Sequence, residues 1–531
     1  MIPIEKESYL YLSKEETGMR GVHTVVNDIR RKVFTEVARM SFEGGDYGET
    51  LRRLPHKIIP GEVARYRQNI LVERAIVSER LRLAIGLPLR DLNEYAPTID
   101  HLEDSVVAEK YYEPPLINII PFACNACPPK QVRVSNMCQG CLAHPCREVC
   151  PKDAIKVVQG KSVIDQEKCI KCGKCVDQCP YNAIIKFERP CAEACGMDAI
   201  SSDELGRAKI DYDKCVSCGM CLVNCPFGAI ADKSQIFQMI QAIKRGDRVV
   251  AAVAPAFVTQ FGENVSAAQM REAMLQVGFA DVREVAVGAD LCTIEEAKDF
   301  LEKVPDELPF LATSCCPSWS VMAKKLYPQF KDNISMALTP MVLTARLIKK
   351  EDPEARVVFI GPCAAKKLEA SRRTIRSYVD FVLTFEEMQG VFDAKGVDPS
   401  KMPGDPENDF MRATGAGRGF AVTGGVAAAV KAAIKELDPE REVLVEHADG
   451  LRECRKMLAM AKAGKYNGYL LEGMGCPGGC VAGAGTITPV KKSTTAVAAY
   501  MQTSCSQSAL ESPVAQRLEE LERLEDEAEV N

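Results

Sequence analysis

The sequence predicts a multidomain α/β protein, on the basis of three observations. The chain has 531 residues, enough for three or more domains, and 47% of them are hydrophobic. Sixteen of its 24 cysteines lie between Cys124 and Cys225, so one segment differs sharply from the rest in composition. From about residue 234 to 490, short apolar runs that suit buried strands alternate with helical stretches. We therefore expect domains at 1–122, 123–233 and 234–490, followed by a terminal tail helix at 491–531.

Charge and hydropathy exclude some classes of function. The formal net charge is -6, whereas a nucleic-acid-binding protein normally presents a basic face. No apolar run is long enough to span a bilayer, and Met1–Lys6 lacks the apolar stretch of an export signal. We therefore expect a cytoplasmic protein that binds neither nucleic acid nor membrane.

The first 122 residues contain no cysteine and are predicted to form a helical domain. Residues 25–40 and 61–85 place Arg, Glu, Val and Leu at amphipathic spacing. No group of residues there forms a recognisable site, so we expect a packing or docking role for this domain. At the other end of the chain, leucines spaced three apart among acidic residues predict a short helix over 514–530.

The cysteine-rich segment contains two complete copies of a ferredoxin-type motif. In this motif three cysteines follow one another with two residues between them, and a fourth comes after three more residues, before a proline. Thiolates at this spacing hold [4Fe-4S] clusters, and the lack of an export signal argues against disulfides. The ligands of the two copies are Cys169, Cys172, Cys175 and Cys179, then Cys215, Cys218, Cys221 and Cys225.

A third copy of the motif is stretched and a fourth is incomplete. The fourth copy keeps only Cys191 and Cys195, while Cys124 and Cys127 form a spare pair upstream. If this pair completes the fourth motif, the sixteen cysteines make four clusters; the alternative is that the pair binds zinc or nothing. The stretched third copy consists of Cys138, Cys141, Cys146 and Cys150.

The motifs are expected to exchange ligands in pairs. In two-cluster ferredoxins the fourth cysteine of each motif serves the other cluster. Cys179 would then complete the cluster of Cys138, and Cys150 that of Cys169. By the same logic Cys195 would join Cys215, Cys218 and Cys221, which leaves Cys225 for Cys124, Cys127 and Cys191.

Four further cysteines stand just after predicted strands of the α/β region. The strands are the short apolar runs at 309–311, 356–360 and 469–471. Ligands gather at the carboxyl ends of parallel strands, so these segments are expected to converge on one cofactor. Glycines in the same segments let the backbone come close to a bulky group. The four cysteines are Cys316, Cys363, Cys476 and Cys480.

The segments around these cysteines read TSCCPSW, GPCAAKKLEA and EGMGCPGGC, and they resemble the three signature motifs of the [FeFe]-hydrogenases. The resemblance spans roughly residues 123–485 and implies a ferredoxin-like iron-sulfur domain followed by a two-lobed α/β hydrogenase catalytic domain. It implies an H-cluster, a [4Fe-4S] cubane joined to a two-iron subsite with CO, cyanide and azadithiolate ligands. Cys316, Cys363 and Cys476 would hold the cubane, and Cys480 would hold it and also bridge to the two-iron subsite.

The resemblance also implies roles for residues around the cofactor. Lys366 matches a lysine that hydrogen-bonds a cyanide, Met474 matches a pocket methionine, and Cys315 matches a thiol that shuttles protons. From that thiol, the proton path of the family runs through a Glu, a Ser and a second Glu. The residues at or near these positions are Glu296, Ser335, Asp299 and Glu369.

The chain departs from the family pattern near the predicted pocket. Ala256 replaces a frequent serine in the segment that includes Pro255, and Gly361 replaces a common methionine before Pro362. Asp299 has one methylene fewer than the usual glutamate, so a water would have to close the gap. These departures bear on rate, catalytic bias and oxygen sensitivity rather than on the cluster ligands.

The expected function is reversible formation of H2 from protons and electrons. About four accessory [4Fe-4S] clusters would relay electrons from ferredoxin or a similar one-electron carrier, and maturation proteins would insert the cofactor. Two alternatives stay open. A hydrogen sensor of the same family often lacks the shuttling cysteine and adds a sensory domain. An iron-sulfur assembly or electron-transfer protein would lack the two-iron subsite, whereas the retained Lys366, Met474 and Cys480 favour the full cofactor.

Overall fold

The computed structural model describes residues 21–22, 24–93, 96–106 and 112–518. The segment Met1–Lys6 and most of the helix predicted over 514–530 therefore lie outside the described residues. Within these ranges, no helix combines the length and the apolar character needed to cross a bilayer.

Three helices form the first described segment: Val25–Glu43, Tyr47–Ile58 and Ile70–Ala84. The sequence predicts that the last of them begins at residue 61, but it begins nine residues later. The cause is Glu73, whose carboxylate accepts hydrogen bonds from the backbone N–H groups of Arg65, Tyr66 and Arg67 and holds them in a loop.

These helices pack against the α/β region instead of forming a core of their own. The helix Val25–Glu43 lies on the helix Phe385–Lys395, and Arg31 forms an ion pair with Asp393 across this contact. Phe34, 5% exposed, belongs to the same hydrophobic core as the strands of the α/β region.

The cysteine-rich region consists of short antiparallel strand pairs joined by one-turn helices. The pairs are Gln131–Val134 with Ile184–Phe187, Ile155–Val158 with Lys161–Ile164, Ile200–Ser202 with Ala208–Ile210, and Ile117–Ile119 with Ile230–Asp232. The one-turn helices are Pro145–Glu148, Lys174–Asp177, Pro190–Glu193 and Met220–Val223, and each contains a motif cysteine.

Two parallel sheets form the α/β region. Strand order in the first is Asp281–Glu284, Val249–Val253, Arg356–Gly361, Phe381–Thr384, and in the second Phe310–Ala312, Tyr469–Met474, Leu444–Asp449. The flanking helices are Ile236–Arg245, Ala267–Val277, Ala286–Lys303, Pro317–Leu326, Pro340–Glu351, Ala365–Ala370, Gly415–Gly419, Gly425–Leu437, Leu451–Lys462 and Val490–Gln502. The predicted multidomain α/β architecture is confirmed, with one sheet in each lobe of the α/β region.

The last described residues pack on the α/β region. The hydroxyl of Tyr500, on the helix Val490–Gln502, donates to Glu284 at 2.7 Å, and Arg418 donates to the backbone oxygen of Tyr500. Leu518, 2% exposed, lies in the core of the second lobe. This part of the predicted tail is therefore an integral part of the fold.

Candidate active site and iron-sulfur sites

The cysteines that follow the parallel strands meet in one pocket between the two sheets. Cys315 and Cys316 come from the end of Phe310–Ala312, and Cys363 from the end of Arg356–Gly361. Two more cysteines come from the end of Tyr469–Met474. Together, these five cysteines line a pocket of about 800 Å³: Cys315, Cys316, Cys363, Cys476 and Cys480.

Two glycines let the backbone close around this pocket. A Cβ atom on Gly475 would lie 2.9 Å from the Cβ of Ser318 and 3.4 Å from the sulfur of Cys316. The N–H of Gly475 donates to that sulfur at 3.3 Å. At Gly479 the φ angle is +86°, and a Cβ atom would meet the backbone of Thr423 at 2.6 Å. Larger residues would therefore displace the loop that carries the last two cysteines.

Lys366 is buried beside the pocket. Its ammonium donates to the backbone oxygen of Cys315 at 3.3 Å and forms an ion pair with Glu369 at 2.7 Å. Burial acts to lower the pKa of Lys366, but the charge of Glu369 and its hydrogen bond oppose this, and the pKa is raised overall. The side chain therefore carries a positive charge that faces the pocket from one side.

Cys315 and Glu296 are both held in protonated form. Burial raises the pKa of Cys315 well above its usual value, and Glu296 adds to this effect. Burial also raises the pKa of Glu296 to about 8, against the stabilising hydrogen bond from the N–H of Ser314. That bond reaches Oε1 at 2.9 Å, whereas Oε2 makes no hydrogen bond with the described residues.

The other predicted path residues lie in different surroundings. Ser335 is buried, and its hydroxyl accepts a hydrogen bond from the N–H of Ala337. Its side chain also acts to lower the pKa of Glu296, so it lies beside that carboxyl. Asp299 lies one turn after Glu296 and pairs with Lys303 at 2.7 Å. Glu369 accepts a hydrogen bond from the hydroxyl of Thr339 and lies on the Lys366 side of the pocket. The structure thus brings Glu296 near both Cys315 and Ser335, while Asp299 and Glu369 are each held by a lysine.

The predicted pocket residues Pro255, Ala256, Pro362 and Met474 line the pocket, but Gly361 does not. A Cβ atom on Gly361 would lie 2.5 Å from the ring of Phe359. The glycine therefore makes room for that ring, which does line the pocket.

Sequence reasoning missed some site residues. Phe359 and Phe420 form part of the apolar wall, and Ser314 hydrogen-bonds Glu296. Ser314 had a sequence signal, because it stands inside the TSCC motif directly before Cys315. Phe359 and Phe420 had none, because an aromatic residue inside a strand or at a helix end is usually part of the core.

Sixteen further cysteines lie in the region before residue 226, and two groups of four each line a pocket of about 340 Å³. One group is Cys124, Cys127, Cys191 and Cys225, and the other is Cys150, Cys169, Cys172 and Cys175. These are the groupings expected if motifs exchange their fourth cysteine.

A third group lies beside the active-site pocket. Burial raises the pKa of Cys221, and Cys218, Cys215 and Cys195 raise it further, with a smaller effect from Cys191 of the neighbouring group, so Cys195, Cys215, Cys218 and Cys221 lie near one another. The thiolate of Cys363 also acts on Cys218. The four cysteines that remain are Cys138, Cys141, Cys146 and Cys179.

Comparisons with known proteins agree with the fold. The family model described as the iron only hydrogenase large subunit, C-terminal domain, matches residues 247–484. A 4Fe-4S binding domain matches residues 162–185, and the LdpA Fe-S cluster-binding domain matches residues 185–236. The fold and the pocket thus define an iron-sulfur protein of the hydrogenase type.

Three curated relatives illustrate the range of the similarity. Iron hydrogenase 1 of Clostridium pasteurianum is 29% identical over 63% of this chain and 67% of its own length. The periplasmic [Fe] hydrogenase large subunit of Nitratidesulfovibrio vulgaris is 30% identical over 61% of this chain and 85% of its own. Cytosolic iron-sulfur assembly component 3 of Rattus norvegicus is 26% identical over 40% and 55%. The chain belongs to the [FeFe]-hydrogenase family.

Proposed function

We propose that the protein is an [FeFe]-hydrogenase that interconverts H2 with protons and electrons. The observation that carries the proposal is the single pocket lined by Cys316, Cys363, Cys476 and Cys480, with Lys366 buried at its wall. Four thiolates on three loops are a soft donor set that suits an iron-sulfur centre rather than a hard cation.

The residues present fit the H-cluster of the family. Cys316, Cys363 and Cys476 would hold its cubane, and Cys480 would hold the cubane and bridge to the two-iron subsite. Lys366 would donate a hydrogen bond to a cyanide ligand, since its ammonium already faces the pocket. When bound, the two-iron subsite supplies the place where two electrons and two protons combine. The remaining lining is mostly apolar and includes Met474, so it excludes water from that place.

The side chains of this protein would supply the protons. The sulfur of Cys315 carries a proton at neutral pH and stands at the pocket wall. Glu296 is the next proton carrier, with a pKa of about 8 that keeps a proton available on its second oxygen. A pKa near the working pH suits a group that both accepts and donates a proton. We propose that protons move between Glu296 and Cys315, and that Ser314 fixes the carboxyl.

Electrons would enter through the accessory [4Fe-4S] sites. The group of Cys195, Cys215, Cys218 and Cys221 would make the last transfer, because it neighbours Cys363. Cys172 is exposed, so its group is a suitable entry point. We propose ferredoxin or a similar one-electron carrier as the partner, maturation proteins for cofactor insertion and a cytoplasmic location.

A viologen assay tests this function. After anaerobic maturation, the protein should evolve H2 from chemically reduced methyl viologen. Cys480→Ser should abolish this activity, because it removes the bridging ligand, whereas Cys505→Ser at an exposed cysteine outside the pocket should leave it unchanged. Equal activity in the parent and Cys480→Ser, or no activity after maturation, would contradict the proposal.

A second candidate function comes from one relative. The match to cytosolic iron-sulfur assembly component 3 covers 40% of this chain, so an assembly or electron-transfer role without the two-iron subsite is the alternative. That alternative predicts iron-sulfur clusters with no H2 turnover under any maturation condition.

A further inference from the structure

The site formed by Cys124, Cys127, Cys191 and Cys225 has three arginines that donate to the backbone around it. Its cysteines come from three separate parts of the chain, so other contacts must bring those parts together. Among the described residues that line this pocket, Arg189 is positively charged and none is an Asp or a Glu.

Two arginines of the N-terminal helical segment hold the backbone next to two of these cysteines. Arg67 donates to the backbone oxygen of Ala123 at 3.2 Å and also to that of Phe227. Arg80, 6% exposed, donates to the backbone oxygen of Gly228. Ala123 is the residue before Cys124, and Phe227 and Gly228 stand two and three residues after Cys225. Arg67 therefore joins the two ends of the site.

Arg189 holds the other side of the same site. It is 3% exposed and donates to the backbone oxygens of Cys127 and Gly206, both at 2.7 Å, and to Ser201 at 3.0 Å. Arg189 also lines the pocket of the four cysteines, so its charge lies beside their sulfurs.

Arg80 is also charged near the site. Burial and the neighbouring Arg30 lower the pKa of Arg80 to about 10. The guanidinium is therefore protonated at neutral pH. It bonds the oxygen of Gly228, and the N–H of the next residue, Ala229, donates to the sulfur of Cys225 at 3.4 Å. Charges in such buried surroundings are weakly screened.

We propose that Arg67, Arg80 and Arg189 form a clamp that assembles this fourth cluster site and favours the reduced form of its cluster. Reduction adds one negative charge to a cluster, and buried cations stabilise that charge, so they raise the reduction potential. The helical segment would thus act on the electron relay. The cluster would hold one electron close to the site of Cys195, Cys215, Cys218 and Cys221, which neighbours Cys363. An electron held there suits a reaction that uses two electrons. The inference rests on the proposed cluster assignment.

The test uses the full-length protein with reconstituted clusters and needs no H2 chemistry. Arg80→Met and Arg67→Met remove a charge at similar side-chain length, and Arg80→Lys keeps the charge. Arg52→Met is the control, because Arg52 is exposed on the helix Tyr47–Ile58. Iron content and an EPR-monitored redox titration are measured. The affected cluster is identified as the one lost in the double variant Cys124→Ser, Cys127→Ser.

We expect Arg80→Met to shift the one-electron equilibrium of that cluster about tenfold, which lowers its potential by about 59 mV. Arg67→Met should act in the same direction, and Arg80→Lys should restore most of the potential. The clamp would also be supported if Arg80→Met loses about four irons while Arg80→Lys retains them.

Unchanged potentials and iron contents in both methionine variants would overturn the inference. So would an equal change in Arg52→Met, or an unchanged iron count in the double cysteine variant. The proposed hydrogenase activity is tested by a different measurement, the viologen assay, so failure of one proposal can be distinguished from failure of the other.

Discussion

Burial sets the protonation states beside the catalytic cysteines. Cys315 and Glu296 both lie where an ionised group would lose its solvation, so both carry protons at neutral pH. Lys366 is equally buried but stays cationic, because Glu369 lies 2.7 Å away. One side of the pocket therefore offers protons and the other offers a fixed positive charge.

Cys315→Ala tests the thiol as a proton carrier. It removes a proton donor and no predicted cluster ligand, so the CO and cyanide infrared bands should remain. H2 turnover should fall by about 10²–10⁴-fold, the range for loss of a general acid. Cys505→Ala, at an exposed cysteine outside the pocket lining, is the control. Activity within a few-fold of the parent in Cys315→Ala would refute the assignment.

Glu296→Gln tests the second carrier through pH dependence. The carboxyl of Glu296 is protonated below its pKa of about 8 and ionised above it. H2 evolution in the parent should therefore decline as pH rises through about 8, where the proton donor is lost. In Glu296→Gln the turnover should be low at every pH, and this decline should vanish. If activity in the variant still declines as the pH rises through about 8, the decline belongs to a group other than Glu296.

At the scale of elements, the carboxyl ends of parallel strands place the site. The apolar runs predicted the strands at 356–360 and 469–471, and the structure extends them to Gly361 and Met474. The loop before Ile70 could not be predicted from the periodicity of the side chains. It is held by hydrogen bonds from backbone N–H groups to the carboxylate of Glu73, and periodicity carries no information about such bonds.

Gly219→Ala tests the contact between the last accessory site and the active-site pocket. A Cβ atom on Gly219 would meet the Cβ of Ala484 at 2.4 Å. Gly173 has a similar positive φ at the matching position of another motif, but nothing lies within 4 Å of its Cβ position. Both alanine variants carry the same backbone strain, so the difference between them isolates the steric contact.

We expect Gly219→Ala to be less stable than Gly173→Ala by about 1–3 kcal/mol, the usual cost of overpacking. It should also transfer electrons more slowly to the active site, because the loop of Cys218 and Cys221 must move away. Thermal unfolding and H2 evolution from reduced ferredoxin measure the two effects. Equal behaviour of the two variants would show that the contact is unimportant.

At the scale of the whole molecule, a buried ionic cluster joins three parts of the chain. The ammonium of Lys367 contacts Asp232 at 2.7 Å and Glu387 at 2.8 Å. Arg30 of the helical segment pairs with Asp232 at 3.8 Å and with Glu386. Lys367 follows Lys366 directly, so the cluster also anchors the helix beside the active site. These residues are far apart in sequence and carry no motif, so sequence analysis could not find the cluster.

The entry point for electrons is tested by charge reversal. Lys152 and Lys174 line the exposed site of Cys172, with Ile170, which is 55% exposed. Residues 130–188 contain ten Lys and Arg against six Asp and Glu, in a chain of net charge -6. This local excess of positive charge suits an acidic one-electron carrier.

Lys152→Glu with Lys174→Glu should raise the KM for an acidic ferredoxin about tenfold or more at low salt, because like charges then face each other. Turnover with methyl viologen should stay the same. Lys431→Glu with Lys435→Glu, on the helix Gly425–Leu437, provides the matched control. An unchanged KM for ferredoxin in the first variant would place the entry point elsewhere.

The most direct test of the central claim is the infrared spectrum of the protein after anaerobic maturation with the family's assembly machinery. If Cys316, Cys363, Cys476 and Cys480 hold an H-cluster, the spectrum should contain CO and cyanide stretching bands, and Cys480→Ala should lose them. A matured protein that contains iron-sulfur clusters but shows no CO or cyanide bands would contradict the hydrogenase assignment.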